Sequence, residues 1–369
     1  MKQQFARILK NTLLIASALM SGSALAIDCH YASLGGGGSI PEDSTVDLGG
    51  ITISVGADIP VGSVVFTSRQ TSIAKLTNGV TCNAPFNLTS NIDYLTKPLP
   101  IASWSGTPTV YETGVPGLAV YLSTYDNKDP FPQHLSYMTN TPGGGTLAQR
   151  TGYDLNIIKI GPVTPGIING AQLPTLRETI PAKAGYTGLP LTLKTLRFSG
   201  SLLIKSETCI TPDLTVNLGK YDTSQIGSIG AATPWINSSL QLKDCPIFYG
   251  YYPKTAVNWQ SGSGTLNQGT ATRNMLGLSL RPNNGIIDAT QGIMAIASGS
   301  NAASGIGIQI ASGEVSGSPV NFNFSQEKPY YAPSGKNYSL PLVARYIRTE
   351  KEIKPGQANG NLTFTITYK

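Results

Sequence analysis

Asn361 to Lys369 reads N-L-T-F-T-I-T-Y-K. Leu362, Phe364, Ile366 and Tyr368 alternate with polar residues without interruption, the period of a strand that buries one face. Alternation this regular belongs to a half-buried antiparallel strand. It stops one residue short of the last residue, so no later strand follows to pair with it. An open apolar edge is a template on which another chain adds a strand. Two readings stand side by side here. The stretch is either an ordinary final strand packed in its own sheet, or one that awaits a strand from elsewhere.

Working back, the other end of the chain carries Lys2, Arg7 and Lys10, then the apolar run Leu13 to Met20, then Ser23-Ala24-Leu25-Ala26. A basic start, a short apolar core and an A-x-A signal read as a secretory signal peptide over residues 1–26. The apolar run is too short to span a bilayer. Those three cations supply half of the formal net charge of +6. The remaining charge, with no basic cluster, excludes a nucleic-acid binder. Charged residues are only 12% of the chain, about half the share of typical soluble proteins. Gly, Pro, Ser and Thr are abundant and no long stretch has a helical apolar period. These features predict an all-β secreted protein of about two domains.

Cys29, Cys82, Cys209 and Cys245 are the four cysteines. An even count in an exported chain implies disulfides, with three pairings possible. The long gap between Cys82 and Cys209 favours Cys29–Cys82 and Cys209–Cys245, one in each domain. Zinc would need close C-x-x-C pairs, which are absent, so no metal or other cofactor is expected.

The first domain opens with Ile27-Asp28-Cys29 and a Gly35–Gly38 run. Strands are expected at 51–55, 63–68, 109–112, 118–124, 153–160 and 191–204, a β-sandwich pattern. Between Tyr125 and Arg150 the chain reads D-N-K-D-P-F-P-Q-H-L-S-Y-M-T-N-T-P-G-G-G-T-L-A-Q. A loop of this length without strand pattern is uncommon in a compact domain and is usually functional or disordered. The boundary is expected near 205–208. Beyond it, strands are expected at 213–218, 238–242, 255–260, 275–280, 293–297, 305–311, 319–324, 340–349 and 362–368. These make one further sandwich.

The second half resembles a pilin domain of the chaperone–usher fimbriae. The residues that carry the likeness are Thr208-Cys209 with L-T-V-N-L-G (Leu214 to Gly219), L-Q-L-K-D-C ending at Cys245, G-I-G-I-Q-I from Gly305 and L-V-A-R-Y-I from Leu342. The closing K-P-G-Q-A-N-G-N-L-T-F-T-I-T-Y-K has its Tyr in the penultimate position. The first half is similar, more loosely, to two-domain fimbrial tip adhesins of the type 3 kind. There the carriers are T-G-V-P-G-L-A-V (Thr113 to Val120), I-K-I-G-P-V-T-P-G (Ile158 to Gly166) and L-R-F-S-G-S-L-L-I-K-S-E-T-C (Leu196 to Cys209).

The resemblance implies two β-sandwiches, a receptor-binding one over 27–206 and an incomplete immunoglobulin-like pilin sandwich over 207–369 that lacks its last strand. Leu362, Phe364, Ile366 and Tyr368 would then line a groove. A periplasmic chaperone fills it first, and the adjacent fimbrial subunit replaces the chaperone at the outer-membrane usher; this is strand addition. Only Ile27 and Asp28 precede Cys29 after cleavage at Ala26, too few to donate a strand in turn. The expected place is the fimbrial tip on the cell surface, reached through the periplasm.

A tip position implies recognition of a host glycan or an extracellular-matrix protein. Sugar sites combine an aromatic platform with carboxylates or amides. Tyr125, Asp126, Asn127, Asp129, Tyr137 and Arg150 on the long loop supply those types, with Trp104 as a rim aromatic or a core residue. Asp28 and His30 form a second candidate near the N-terminus. A solvated loop anchored by its aromatics is the plain alternative. At the level of the whole protein the alternative is a structural tip or initiator subunit without a receptor. An enzyme is not expected: there are two histidines, no G-x-S-x-G and no H-E-x-x-H. Asp126 and Asp129 as a glycoside-cleaving pair compete with the commoner role of loop carboxylates in turns.

Overall fold

The structure, a computed structural model, describes residues 26–32, 41–71, 78–125, 128–149, 152–260 and 263–369. The expected leader and the Gly35–Gly38 run lie outside these residues, apart from Ala26. The described chain is built of strands, with two three-residue 3-10 turns. Its disulfides join Cys29 to Cys82 and Cys209 to Cys245, the pairing expected from the spacing.

In the first half a five-stranded sheet runs Glu42–Asp47, Leu191–Ser199, Thr175–Ile180, Phe86–Thr96 and Gln133–Thr139. It faces a sheet whose first-half members are Val64–Thr71, Gly152–Lys159, Leu118–Thr124 and Tyr111–Glu112. Alternate residues of both sheets, among them Val46, Phe66, Ile92, Val120, Leu155, Leu176 and Leu196, are buried in one core. The strand expected as one piece over 191–204 breaks at Gly200 into Leu191–Ser199 and Ser201–Lys205, which belong to different sheets. Gly200 sits at φ +69, where an added Cβ would lie 2.1 Å from Asp47 Oδ1. Only glycine takes this corner without strain.

Two differences from the expected pattern bear on function. The 125–150 stretch is not structureless. Gln133–Thr139 pairs along Phe86–Thr96 from Phe86↔Thr139 to Ile92↔Gln133, and Gly145–Gln149 pairs with Asn78–Cys82. Both are peripheral strands stabilised by ladders to distant partners, which local alternation does not reveal. The other difference lies beyond residue 206. The hairpin Tyr252–Gln260/Thr265–Gln268 continues the first half's sheet, with Tyr252–Gln260 lying parallel to Val64–Thr71. Val257 is fully buried and Trp259 nearly so, both in the first-half core.

The rest of the second half packs around its own core of Leu240, Leu278, Leu280, Ile308, Ile310, Phe322, Leu340 and Leu342. One sheet orders Ile236–Asn237, Leu342–Arg348, Ile306–Ser312, Ile293–Ala295 and Ile286–Asp288, with Val320–Asn321 paired to Ile306–Ser312. The facing sheet is Lys328–Tyr331, Met275–Pro282 and Leu362–Tyr368. The strand expected over 213–218 does not form. Among the described residues that segment joins no ladder.

Candidate functional site

The absence of a ladder at 213–218 has a counterpart in the closing strand. Leu362–Tyr368, the closing strand, is the outermost member of its sheet and pairs antiparallel with Met275–Pro282. Lys369 and Met275 exchange backbone bonds, each donating its N–H to the other's carbonyl at 2.8 and 2.7 Å, and Asn283 donates to Asn361 at 3.0 Å. Hydrogen-bonded pairs alternate in such a ladder. The odd-numbered residues therefore face Met275–Pro282, and the backbone groups of Leu362, Phe364, Ile366 and Tyr368 point to the open edge. Among the described residues Tyr368 alone is met there: its N–H donates to Asp58 Oδ2 (2.8 Å) and its carbonyl accepts from the Asp58 N–H (2.9 Å). Among the described residues no strand pairs with the outer edge of Leu362, Phe364 and Ile366.

The side chains on these residues are half-buried or buried and pack on the second-half core. Tyr368 stacks on Phe248, with ring centroids 6.2 Å apart, and its hydroxyl accepts from the Cys209 N–H at 3.0 Å. Burial raises the Tyr368 phenol above its ordinary value. The Cys209 bond fixes the start of the unladdered segment beside the end of the closing strand. In that segment Leu214 is 44% exposed, Val216 is half-buried and Leu218 is 8% exposed. Val216 and Leu218 reach the same core as Phe364 and Ile366. The closing strand and the unladdered segment thus contribute to one apolar core, and among the described residues no strand pairs with either of their free edges.

The residues expected to recognise a receptor are dispersed. Asp126, Asn127 and Arg150 lie outside the described residues. Asp129 closes a turn: its N–H donates to the Thr124 hydroxyl (3.1 Å) and its carbonyl accepts from the Thr124 N–H (3.0 Å). That is the turn-forming role. Tyr137 is half-buried against the cluster around Cys29–Cys82, and burial, then Glu178, raises its phenol. Trp104 packs on Ala102, Val110, Ala119, Tyr121 and Ile158 with its ring against Gly106. Its indole Nε1 is buried without a hydrogen-bond partner among the described residues. Trp104 itself is half-buried. Asp28 and His30 lie 3.7 Å apart and exposed, while the Thr187 hydroxyl donates to Asp28 at 3.0 Å.

Tyr125 is the exposed aromatic of the set, at 38%. The Arg69 guanidinium sits 4.4 Å from its ring centroid. Arg69 in turn donates two bonds to Asp154, at 2.8 and 2.9 Å. Asp154 is fully buried and directly opposite Arg69 in the ladder. A bidentate pair of this kind holds the guanidinium plane in place, and with it the ring it covers. Sequence reading missed both Arg69 and Asp154 as a pair, because their spacing of 85 residues has no local signature. Beneath them Lys194, buried, contacts Glu42 Oε2 (3.3 Å) and donates to Gln70 Oε1 (3.0 Å). Glu178 accepts from Ser90 and Tyr153, both at 2.7 Å. Burial lowers the Lys194 ammonium from its ordinary value, opposed by Glu42 and Glu178.

Among the described residues the second-half apolar core is bordered by the closing strand, whose outer edge pairs with no other strand. The family described as "Fimbrial protein" matches residues 196–369. A fimbrial subunit type 1 of Salmonella typhimurium is 30% identical over 178 residues, covering 47% of this chain and 82% of that one. The chain belongs to the fimbrial protein family. It is also 25% identical over 321 residues to a fimbria adhesin protein of Klebsiella pneumoniae, covering 86% of this chain and 88% of that one. Among solved structures, the CupB6 tip adhesin of Pseudomonas aeruginosa aligns with a TM-score of 0.34 at 16% identity, over 93% of this chain and 94% of that one. The receptor-binding domain of the Klebsiella pneumoniae adhesin MrkD1P gives 0.32 at 20%, over 49% and 97%.

Proposed function

We propose that this chain is a fimbrial tip adhesin. Its first half, 27–206, binds a host-surface glycan or matrix protein, and its second half, 207–369, is anchored by a strand from the adjacent subunit. The observation that carries the anchoring is the unpaired outer edge of Leu362, Phe364 and Ile366, on the core that Val216 and Leu218 of the unladdered segment also join. Strand addition supplies affinity through main-chain bonds and specificity through alternate side chains. A periplasmic chaperone occupies the edge before assembly at the outer-membrane usher.

The tip position is supported by the opposite end of the described chain. Ile27–Tyr31 is held on both sides within the first half, antiparallel to Asn78–Cys82 and parallel to Tyr186–Thr187. A segment so engaged is not free to complete a neighbour. Recognition is supported by Tyr125, an aromatic 38% exposed and held against Arg69.

The test uses the full chain, because the hairpin 252–268 belongs to the first half's sheet. Backbone amide exchange at 362, 364 and 366 is measured on the chain alone and in complex with a periplasmic pilus chaperone. Protection that appears only in the complex supports the anchoring, and unchanged exchange overturns it. Binding to glycan and matrix-protein arrays, with Tyr125→Ala in parallel, tests recognition. Loss of binding in a variant of unchanged stability places the receptor on this face; binding to nothing leaves a structural tip subunit.

A further inference from the structure

The open edge of the closing strand is not open along its whole length. Asp58, from the first half, occupies the outer backbone positions of Tyr368 with a bond in each direction. The loop that carries it is built for close approach. Gly56 lies against the end of the strand, where an added Cβ would sit 2.2 Å from the Tyr368 carbonyl oxygen. Lys159, only 2% exposed, donates to the carbonyls of Gly56 (3.1 Å) and Ala57 (2.5 Å) and so ties the loop to the first half. On the other side Asn274, also buried, donates to the Ser54 carbonyl (3.0 Å) and accepts from the Gly250 N–H (2.9 Å). The loop is therefore fixed at both ends, and Asp58 stands where the next residue of an added strand would stand.

We infer that Asp58 is an internal stop on the strand-accepting groove, so that a strand seated while the two halves are docked ends opposite Ile366. A partner strand that pairs through Tyr368 displaces Asp58 and loosens the contact between the halves. Groove filling and docking of the first half are thereby coupled: whichever strand reaches Tyr368 favours the undocked chain, and docking disfavours that strand by the same factor. The register of the occupant, rather than its presence, sets the arrangement of the halves. This rests on the proposed strand-accepting role of the groove, and the test separates the two.

The probe is a strand appended to the full chain, Val-Thr repeated over seven residues, folding back antiparallel along the closing strand. In one variant it follows Lys369 through Gly-Asn-Gly, a tight loop that makes Tyr368 the first paired residue. In the other it follows a flexible Gly/Ser linker of about twelve residues, which permits a start at Ile366. Amide exchange is read at Asp58, Leu362, Phe364, Ile366 and Tyr368. The tight-loop variant is expected to release the Asp58 amide by about tenfold or more, while the long-linker variant keeps it protected; both protect 362, 364 and 366. Asp58→Ala adds a check that needs no tight loop. Alone it exposes the Tyr368 amide, and with the long-linker strand that amide regains protection. If neither strand protects 362, 364 and 366, the groove reading itself fails. If both do and the Asp58 amide stays protected in the tight-loop variant, or Tyr368 is not reprotected in Asp58→Ala, there is no stop.

Discussion

Replacing Trp259 with alanine should destabilise the first half of the molecule, although residue 259 lies more than fifty positions beyond the expected boundary. Trp259 is 5% exposed and Val257 fully buried, both within the core formed by Phe66, Leu155 and Leu196. The strand that carries them runs beside Ser68 to Thr71 through Val257↔Ser68 and Gln260↔Thr71. Truncating a buried tryptophan to alanine costs about 3–5 kcal/mol. A unit of this size unfolds in urea with a slope of about 2–3 kcal/mol/M, so the midpoint should fall by about 1.5 M. Trp104 packs within the first half and Trp235 against Arg345 in the second. In a Trp235→Phe background fluorescence therefore reports the first half alone, with and without Trp259. A first-half midpoint that moves by less than about 0.3 M on Trp259→Ala would refute the assignment of this hairpin to the first-half sheet.

Gly200→Ala should cost more than the usual 1–2 kcal/mol of a left-handed alanine, because φ is +69 and the new Cβ meets Asp47 Oδ1 at 2.1 Å; thermal unfolding measures it. Removing the Cys209–Cys245 bridge, which spans 36 residues, should lower the second half's stability by about 4 kcal/mol, seen as an earlier urea transition of Trp235. Burial raises the phenols of Tyr330, Tyr346 and Tyr368. Groups with raised folded values contribute fully below the ordinary phenol value of about 10 and lose that contribution as pH rises through the folded value. Second-half urea midpoints should accordingly be level from pH 7 to 9 and fall above about pH 10, and a midpoint that rises there contradicts the assignment.

What the sequence made legible was whatever a strand shows by its own alternation. Leu118–Thr124 and Leu362–Tyr368 coincide with the expected limits, the first as a short apolar run buried on both faces and the second as a regular alternation. Gln133–Thr139 shows no strand pattern of its own, because His134, Ser136 and Met138 face solvent and its order comes from the ladder to Phe86–Thr96. The converse failure is 213–218: Leu214, Val216 and Leu218 have strand alternation, and the missing ingredient is a neighbour to pair with. On the candidate sites, the periodicity of the closing strand pointed to the groove, whereas Asp58, 310 residues from its partner, carries no mark of its role. Tyr125 was legible as an aromatic on a long loop. The Arg69–Asp154 pair that holds it was not, since a cross-strand pair exists only once the sheet is registered.

The parallel pairing of Tyr252–Gln260 with Val64–Thr71 has a mechanical consequence. A pull applied between the first half and the closing strand reaches the junction by two routes, the covalent link after Lys205 and the hairpin. Because the hairpin strand lies alongside its partner over several residues, tension along that direction must shear its ladder bonds together instead of opening them one at a time. The contacts of Asp58 and Asn274, by comparison, are few and local. Under load those would part first, leaving the halves hinged yet tethered by the shared sheet.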